Sequence, residues 1–170
     1  TPITVRDRTS AAPYPSSIAI AGLDGFVSKV SVTLSNLAHP YLGDVDIVLV
    51  GPENQRVVLM SDAGSITSAS SGLVLTFDDD AGFGLSSTNQ IVSGAFKPTN
   101  FNGTDDFPLV GTPDIRNNSL DLFRGSIPNG VWSLYIVDDD ERDSGAIFGG
   151  WSISIASTTD FPPRITRHPE

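Results

Sequence analysis

The chain has 170 residues, 39% of them hydrophobic, with mean hydropathy near zero, which suits one domain with a buried core and excludes a disordered tail. No apolar run approaches the roughly 20 residues that cross a bilayer as a helix. A formal charge of −10 argues against nucleic acid as a partner, because its phosphates would be repelled.

Residues 1–17 are polar, carry Pro2, Pro13 and Pro15, and read as an extended entry segment with at most an edge strand. Ser17 to Ala21 is a short alternating strand ended by Gly22. In Phe26 to Ser35, Val30, Val32 and Leu34 alternate with Ser31 and Thr33, the period of a half-buried strand. A turn from Asn36 to Asp44 leads to Val45–Val50, apolar at both parities and therefore a central strand. Gly51 to Asn54 is a turn, with Arg56 to Met60 as its hairpin partner. A Ser/Gly-rich loop from Asp62 to Gly72 precedes a strand from Leu73 to Phe77, which ends in Asp78, Asp79 and Asp80.

From Ala81 to Arg124 the pattern weakens, with turn signals at Asn102-Gly103, Thr112-Pro113 and Asn117-Asn118. A long excursion with brief strands or one helical turn is expected there. Val131 to Val137 then sets Trp132, Leu134 and Ile136 on one face. An acidic turn from Asp138 to Gly145 follows, and Trp151, Ile153 and Ile155 mark a last alternating strand. Parity places both tryptophans on the buried face. No helix-period segment of useful length occurs, so the fold is all-β. Residues 1–157 form the domain, and 158–170, with Pro162, Pro163 and Pro169, read as a linker or tail.

Of the 20 acidic residues 17 are Asp, and lysine is confined to Lys29 and Lys97, a bias toward turns and hard-cation ligands rather than exposed helices. Cysteine is absent, which suits an exported bacterial protein stapled by calcium or core size. The start at Thr1, without a signal-peptide pattern, reads as a domain of a larger secreted protein. Catalysis finds little support. There is no Gly-x-Ser-x-Gly elbow and no His-Glu-x-x-His, and the two histidines are His39, in the predicted turn, and His168, in the predicted tail. A carboxylate pair for glycoside hydrolysis stays open on residue types alone, although only Glu53, Glu141 and Glu170 are glutamates.

The acidic turns are the strongest chemical signal. Antiparallel pairing of 45–50 with 56–60 gathers Asp44, Asp46 and Asp62 near one pole, and Asp78–Asp80 and Asp138–Asp143 are dense enough to repel. A calcium ion, which takes six to eight oxygens in flexible geometry, would relieve that repulsion from several loops at once. Solvated turn formers are the competing reading. A carbohydrate- or cell-surface-binding module is the alternative function, with Tyr41 and Tyr135 as its freer aromatics.

Two segments together resemble the P domain, or homo B domain, of subtilisin-like proprotein convertases. The first runs from Val30 through His39, Gly43-Asp44 and the strand to Gly51-Pro52. The second comprises Phe123-Arg124-Gly125, Asn129-Gly130-Val131-Trp132, Asp138, Asp143-Ser144-Gly145 and Trp151 to Ile155. The likeness spans roughly residues 26–60 and 120–156, while Leu73 to Gly111 is longer and richer in Asp and Asn than the family pattern, closer to bacterial members. The resemblance implies a jelly-roll-like β-sandwich of about eight antiparallel strands without catalytic residues, monomeric in isolation. It further implies that the module serves a catalytic or other domain of the same polypeptide, stabilising it and tuning its calcium and pH response. By position it implies Asp44, Asp138 and Asp143 as calcium ligands, with Asp78 and Asp80 as candidates for a second site.

Overall fold

The computed structural model describes residues 1–64, 69–101, 106–110 and 118–160. The turn signals at Asn102-Gly103 and Thr112-Pro113, Asn117, His168 and most of the expected tail lie outside the described residues. Among the described residues no helix is long and apolar enough to cross a membrane.

Eleven strands form two sheets packed face to face. The first sheet orders β1 (Ile3–Val5), β10 (Gly145–Ile147), β3 (Phe26–His39), β6 (Ser70–Phe77) and β7 (Gly94–Phe96), with β11 (Trp151–Thr158) also paired to β3. The second orders β2 (Ser16–Ile20), β9 (Gly130–Asp138), β4 (Val45–Val50), β5 (Arg56–Ser61) and β8 (Thr99–Asn100). The all-β sandwich is therefore as expected, but the strand count is higher, and the β5–β8 and β6–β7 pairs are parallel rather than antiparallel. Both parallel pairs come from the excursion after β6, whose short strands return to the far edges of the two sheets; pieces of two or three residues are too brief to show a period.

Alternation explains the long strands. In β3, Val30, Val32 and Leu34 are buried against the other sheet, and in β9 Trp132, Leu134 and Ile136 answer them. Strand β4 lies between β9 and β5, so both of its edges are paired. Val45, Ile47 and Leu49 enter the main core, while Val48 packs outward with Phe107, Val110 and Val137. The segment carrying Phe107 is pinned there by the Tyr14 hydroxyl, which donates to the Pro108 carbonyl at 2.8 Å. The β4–β5 turn closes as expected, with the Gly51 N–H donating to the Gln55 carbonyl at 2.9 Å.

The tryptophans differ. Trp132 is fully buried, its indole N–H donating to the Pro128 carbonyl at 2.9 Å and its ring meeting Phe123 edge-on at 4.9 Å. Trp151 is only half-buried, because β11 is an outer strand; its indole N–H reaches Ser16 Oγ of β2 at 3.0 Å, linking the margins of the two sheets.

Candidate metal centre

The site begins with a bulge. The strand expected to stop at Ser35 continues to His39, because the pairing of β3 with β6 slips between Ser35 and Leu37. Asn36 occupies the slip at φ +58°, a left-handed conformation that asparagine tolerates better than most residues. One inserted residue reverses the parity of everything after it. Leu34 and Leu37 are consequently both buried, and His39, two residues on, also faces inward with its side chain fully buried.

His39 meets the other sheet there. Its Nε2 lies 3.0 Å from Asp138 Oδ2, at the end of β9, and 3.5 Å from Asp143 Oδ1, in the turn before β10. Nδ1 lies 2.7 Å from the Tyr41 carbonyl, so that nitrogen carries a proton and donates, and the Tyr41 N–H at 3.3 Å is not its partner. Gly145 leaves the ring its space: a Cβ there would lie 2.4 Å from His39 Cδ2 and 2.2 Å from the Ala38 carbonyl oxygen. Asp138 Oδ1 accepts the Arg8 backbone N–H at 3.3 Å. Burial pushes the Asp138 carboxyl up, against the opposing pull of that N–H and of His39. The Asp143 side chain is 3% exposed, and neither of its oxygens accepts a hydrogen bond.

Asp44 faces a different space. It ends the 3₁₀ turn Leu42–Asp44, and its carbonyl accepts the Asp139 N–H at 3.0 Å, which brings the acidic turn alongside. Asp44, Asp62, Asp139 and Asp140 line a cavity of about 460 Å³ with Phe101 as part of its wall. Burial raises the Asp44 carboxyl to about 6, helped by the charges of Asp143, Asp140, Asp138 and Asp139. Three expected ligands, Asp44, Asp138 and Asp143, thus gather at one pole but divide between a cavity and a histidine.

A raised carboxyl has a definite sign in the linkage between pH and folding. The native state binds the Asp44 proton more tightly than the unfolded chain, so this group opposes folding once pH rises through about 6. In chelator, Asp44→Asn is expected to gain about 1–3 kcal/mol over the wild type at pH 7.5 and nothing near pH 3.5. Urea unfolding of both proteins across that range is the measurement, and an equal difference at the two ends would refute the assignment.

Asp78 and Asp80 sit elsewhere. Val32 pairs with Phe77 while His39 pairs with Ser70, so the two poles of β3 are separated by roughly 20 Å of strand. At the far pole Lys29 Nζ lies 2.9 Å from Asp78 Oδ1 and 2.5 Å from Asp80 Oδ2. Burial acts to raise the Asp78 carboxyl, but the Asp80 N–H and Lys29 outweigh it and hold the carboxyl below the usual range. Tyr135 packs edge-on against Tyr14 at 5.0 Å, and Tyr41 is 39% exposed, so these aromatics do not form a shared platform.

Sequence reasoning set His39 in a turn rather than beside a carboxylate, and within the acidic stretch 138–143 it singled out Asp138 and Asp143 rather than Asp139 and Asp140. The available signal for His39 was the Asn36 break, where alternation lapses for one residue and resumes at Leu37.

No curated protein matches the chain. Among solved structures, a serine protease of Aeromonas sobria is similar over 90% of this chain, at 16% identity and a TM-score of 0.46. The same protease in complex with the chaperone ORF2 is similar at 17% identity and 0.45. The chain spans 24% of the length of each of those chains. Residues 27–104, from β3 past β8, match the family described as the proprotein convertase P-domain.

Proposed function

We propose that this chain is a non-catalytic accessory module of a larger exported polypeptide, a serine peptidase in the first instance, and that it takes calcium at the Asp44 cavity. The observation that carries the accessory reading is the P-domain match, which covers His39 at the end of β3 and Asp44 in the 3₁₀ turn that follows. Its partner is then another domain of the same polypeptide, and its location extracellular. His39, the histidine among the described residues, is committed to Asp138 and the Tyr41 carbonyl rather than to a nucleophile.

The calcium reading rests on charge and donor type. Four aspartates border one opening, and burial, with the charges of Asp143, Asp140, Asp138 and Asp139, already raises Asp44. A hard cation would relieve that repulsion with oxygen ligands from three loops. Of the ligands implied by family position, Asp44 belongs to this set, while Asp138 and Asp143 stand behind it against His39. A second calcium at Asp78 and Asp80 would have to displace Lys29.

Millimolar Ca²⁺ is expected to raise the melting temperature and EGTA to reverse the rise, by about 2.7 kcal/mol at a hundredfold excess over Kd. Asp44→Asn and Asp140→Asn should each abolish most of the shift. An unmoved wild-type melting curve would remove the calcium reading. Hydrolysis of peptide, ester or glycoside substrates by the chain, lost in His39→Gln, would remove the accessory one.

A further inference from the structure

We propose that His39, Asp138 and Asp143 form a three-ligand site for a divalent transition metal of the zinc class, independent of calcium at the Asp44 cavity. One ligand atom from each residue lies within 4.8 Å of the others, and Nε2 is already 3.0 and 3.5 Å from the two carboxylates. Tetrahedral zinc, with bonds of about 2.0–2.2 Å to nitrogen and oxygen, holds its ligands about 3.3–3.6 Å apart. Nε2 therefore stands within a few tenths of an ångström of that spacing to each carboxylate, and the two carboxylates, within 4.8 Å of each other, have at most about 1.5 Å to close, with one position left for water.

The histidine is oriented for the task. Nδ1 donates to the Tyr41 carbonyl at 2.7 Å, and such a backbone acceptor behind the ring turns the Nε2 lone pair toward a metal and keeps it there. A carbonyl partner on Nδ1 and two carboxylates on Nε2 is a donor arrangement that one ion completes.

The Asp143 carboxylate supplies the independent argument. Its side chain is 3% exposed and both oxygens lack a hydrogen bond, a costly state for a charged group. The proton on Nε2 serves Asp138 at 3.0 Å, and Asp143 at 3.5 Å is beyond a hydrogen bond. An imidazolium facing two carboxylates leaves one negative charge sealed. A neutral imidazole, two carboxylates and a divalent ion sum to zero. The nitrogen ligand favours zinc or cobalt over calcium, which prefers oxygen alone. Access is short, because Asp139 to Arg142, leading into Asp143, are exposed, and His39, Ser144 and Gly145 border a surface depression of about 250 Å³.

The test is a Co²⁺ titration of the untagged, chelator-stripped chain in 5 mM Ca²⁺, followed by visible d–d absorption, with Zn²⁺ competing by calorimetry. One equivalent is expected, with a band that calcium leaves in place and zinc removes. Asp143→Asn, on the exposed turn and nearly isosteric, should weaken Co²⁺ binding more than tenfold, as should His39→Gln if it folds. His168→Gln should change it less than threefold, and Asp44→Asn, which cancels the calcium shift, should leave the band present. No band in the wild type, or a band insensitive to Asp143→Asn, would overturn the proposal whatever calcium does.

Discussion

Replacing Trp132 with alanine is expected to destabilise the fold by about 3–5 kcal/mol, a loss of roughly 10 °C in melting temperature for a domain of this size. The indole is fully buried and stacks edge-on with Phe123, and its N–H satisfies the Pro128 carbonyl. Deleting it removes apolar contact from both sheets and leaves a cavity that a strand paired on both sides cannot collapse to fill. The adjacent Val131, 54% exposed on the opposite face of β9, is the control; Val131→Ala should cost less than about 1 kcal/mol. Urea midpoints of the two variants measure the contrast. Comparable losses would mean that β9 does not hold the orientation described.

The second large effect belongs to His39. In metal-free protein, His39→Ala should cost about 3–5 kcal/mol, because it strips the buried Asp138 and Asp143 of the group that answers them. The cost reflects the abandoned carboxylates more than the worth of the pair. The double variant His39→Ala/Asp138→Ala should therefore lose less than the sum of the single losses, with a coupling of 1 kcal/mol or more. Additive losses, read from the same unfolding curves, would show that the two side chains do not communicate. The location of this contact also makes it informative: His39 ends a strand of the first sheet and Asp138 ends one of the second, so the bond ties the sheets together at one pole.

That pole joins two demands in a small volume. Asp138, Asp139, Asp140 and Asp143 raise the negative potential felt at Asp44, and the fold sets the imidazole of His39 on the inner side of the cluster. Arg8 contributes from the N-terminal segment, through its backbone N–H to Asp138 and an ion pair with Glu141. At the opposite pole Lys29 pairs with both Asp78 and Asp80. The two acidic corners look alike as strings of aspartate and differ in which base the strands deliver to them.

Much of this was legible before any coordinates. Alternation in 30–34, 131–137 and 151–155 determined which strands form there and which residues face inward, because a side-chain period of two follows from the backbone alone. The apolar run of 45–50 placed that strand at the centre of its sheet. Tertiary structure decided the rest. The bulge at Asn36 inserts one residue whose trace in the sequence is a single lapse in alternation, and that insertion carries His39 from a supposed turn into the interior. The short parallel additions β7 and β8, the cover supplied by Phe107 and Val110, and the half-exposed setting of Trp151 all depend on which strand ends up at a sheet edge. Local periodicity reports the direction of a side chain relative to its neighbours. It carries no information on what stands opposite, and for His39 the group opposite is Asp138, 99 residues away on the other sheet.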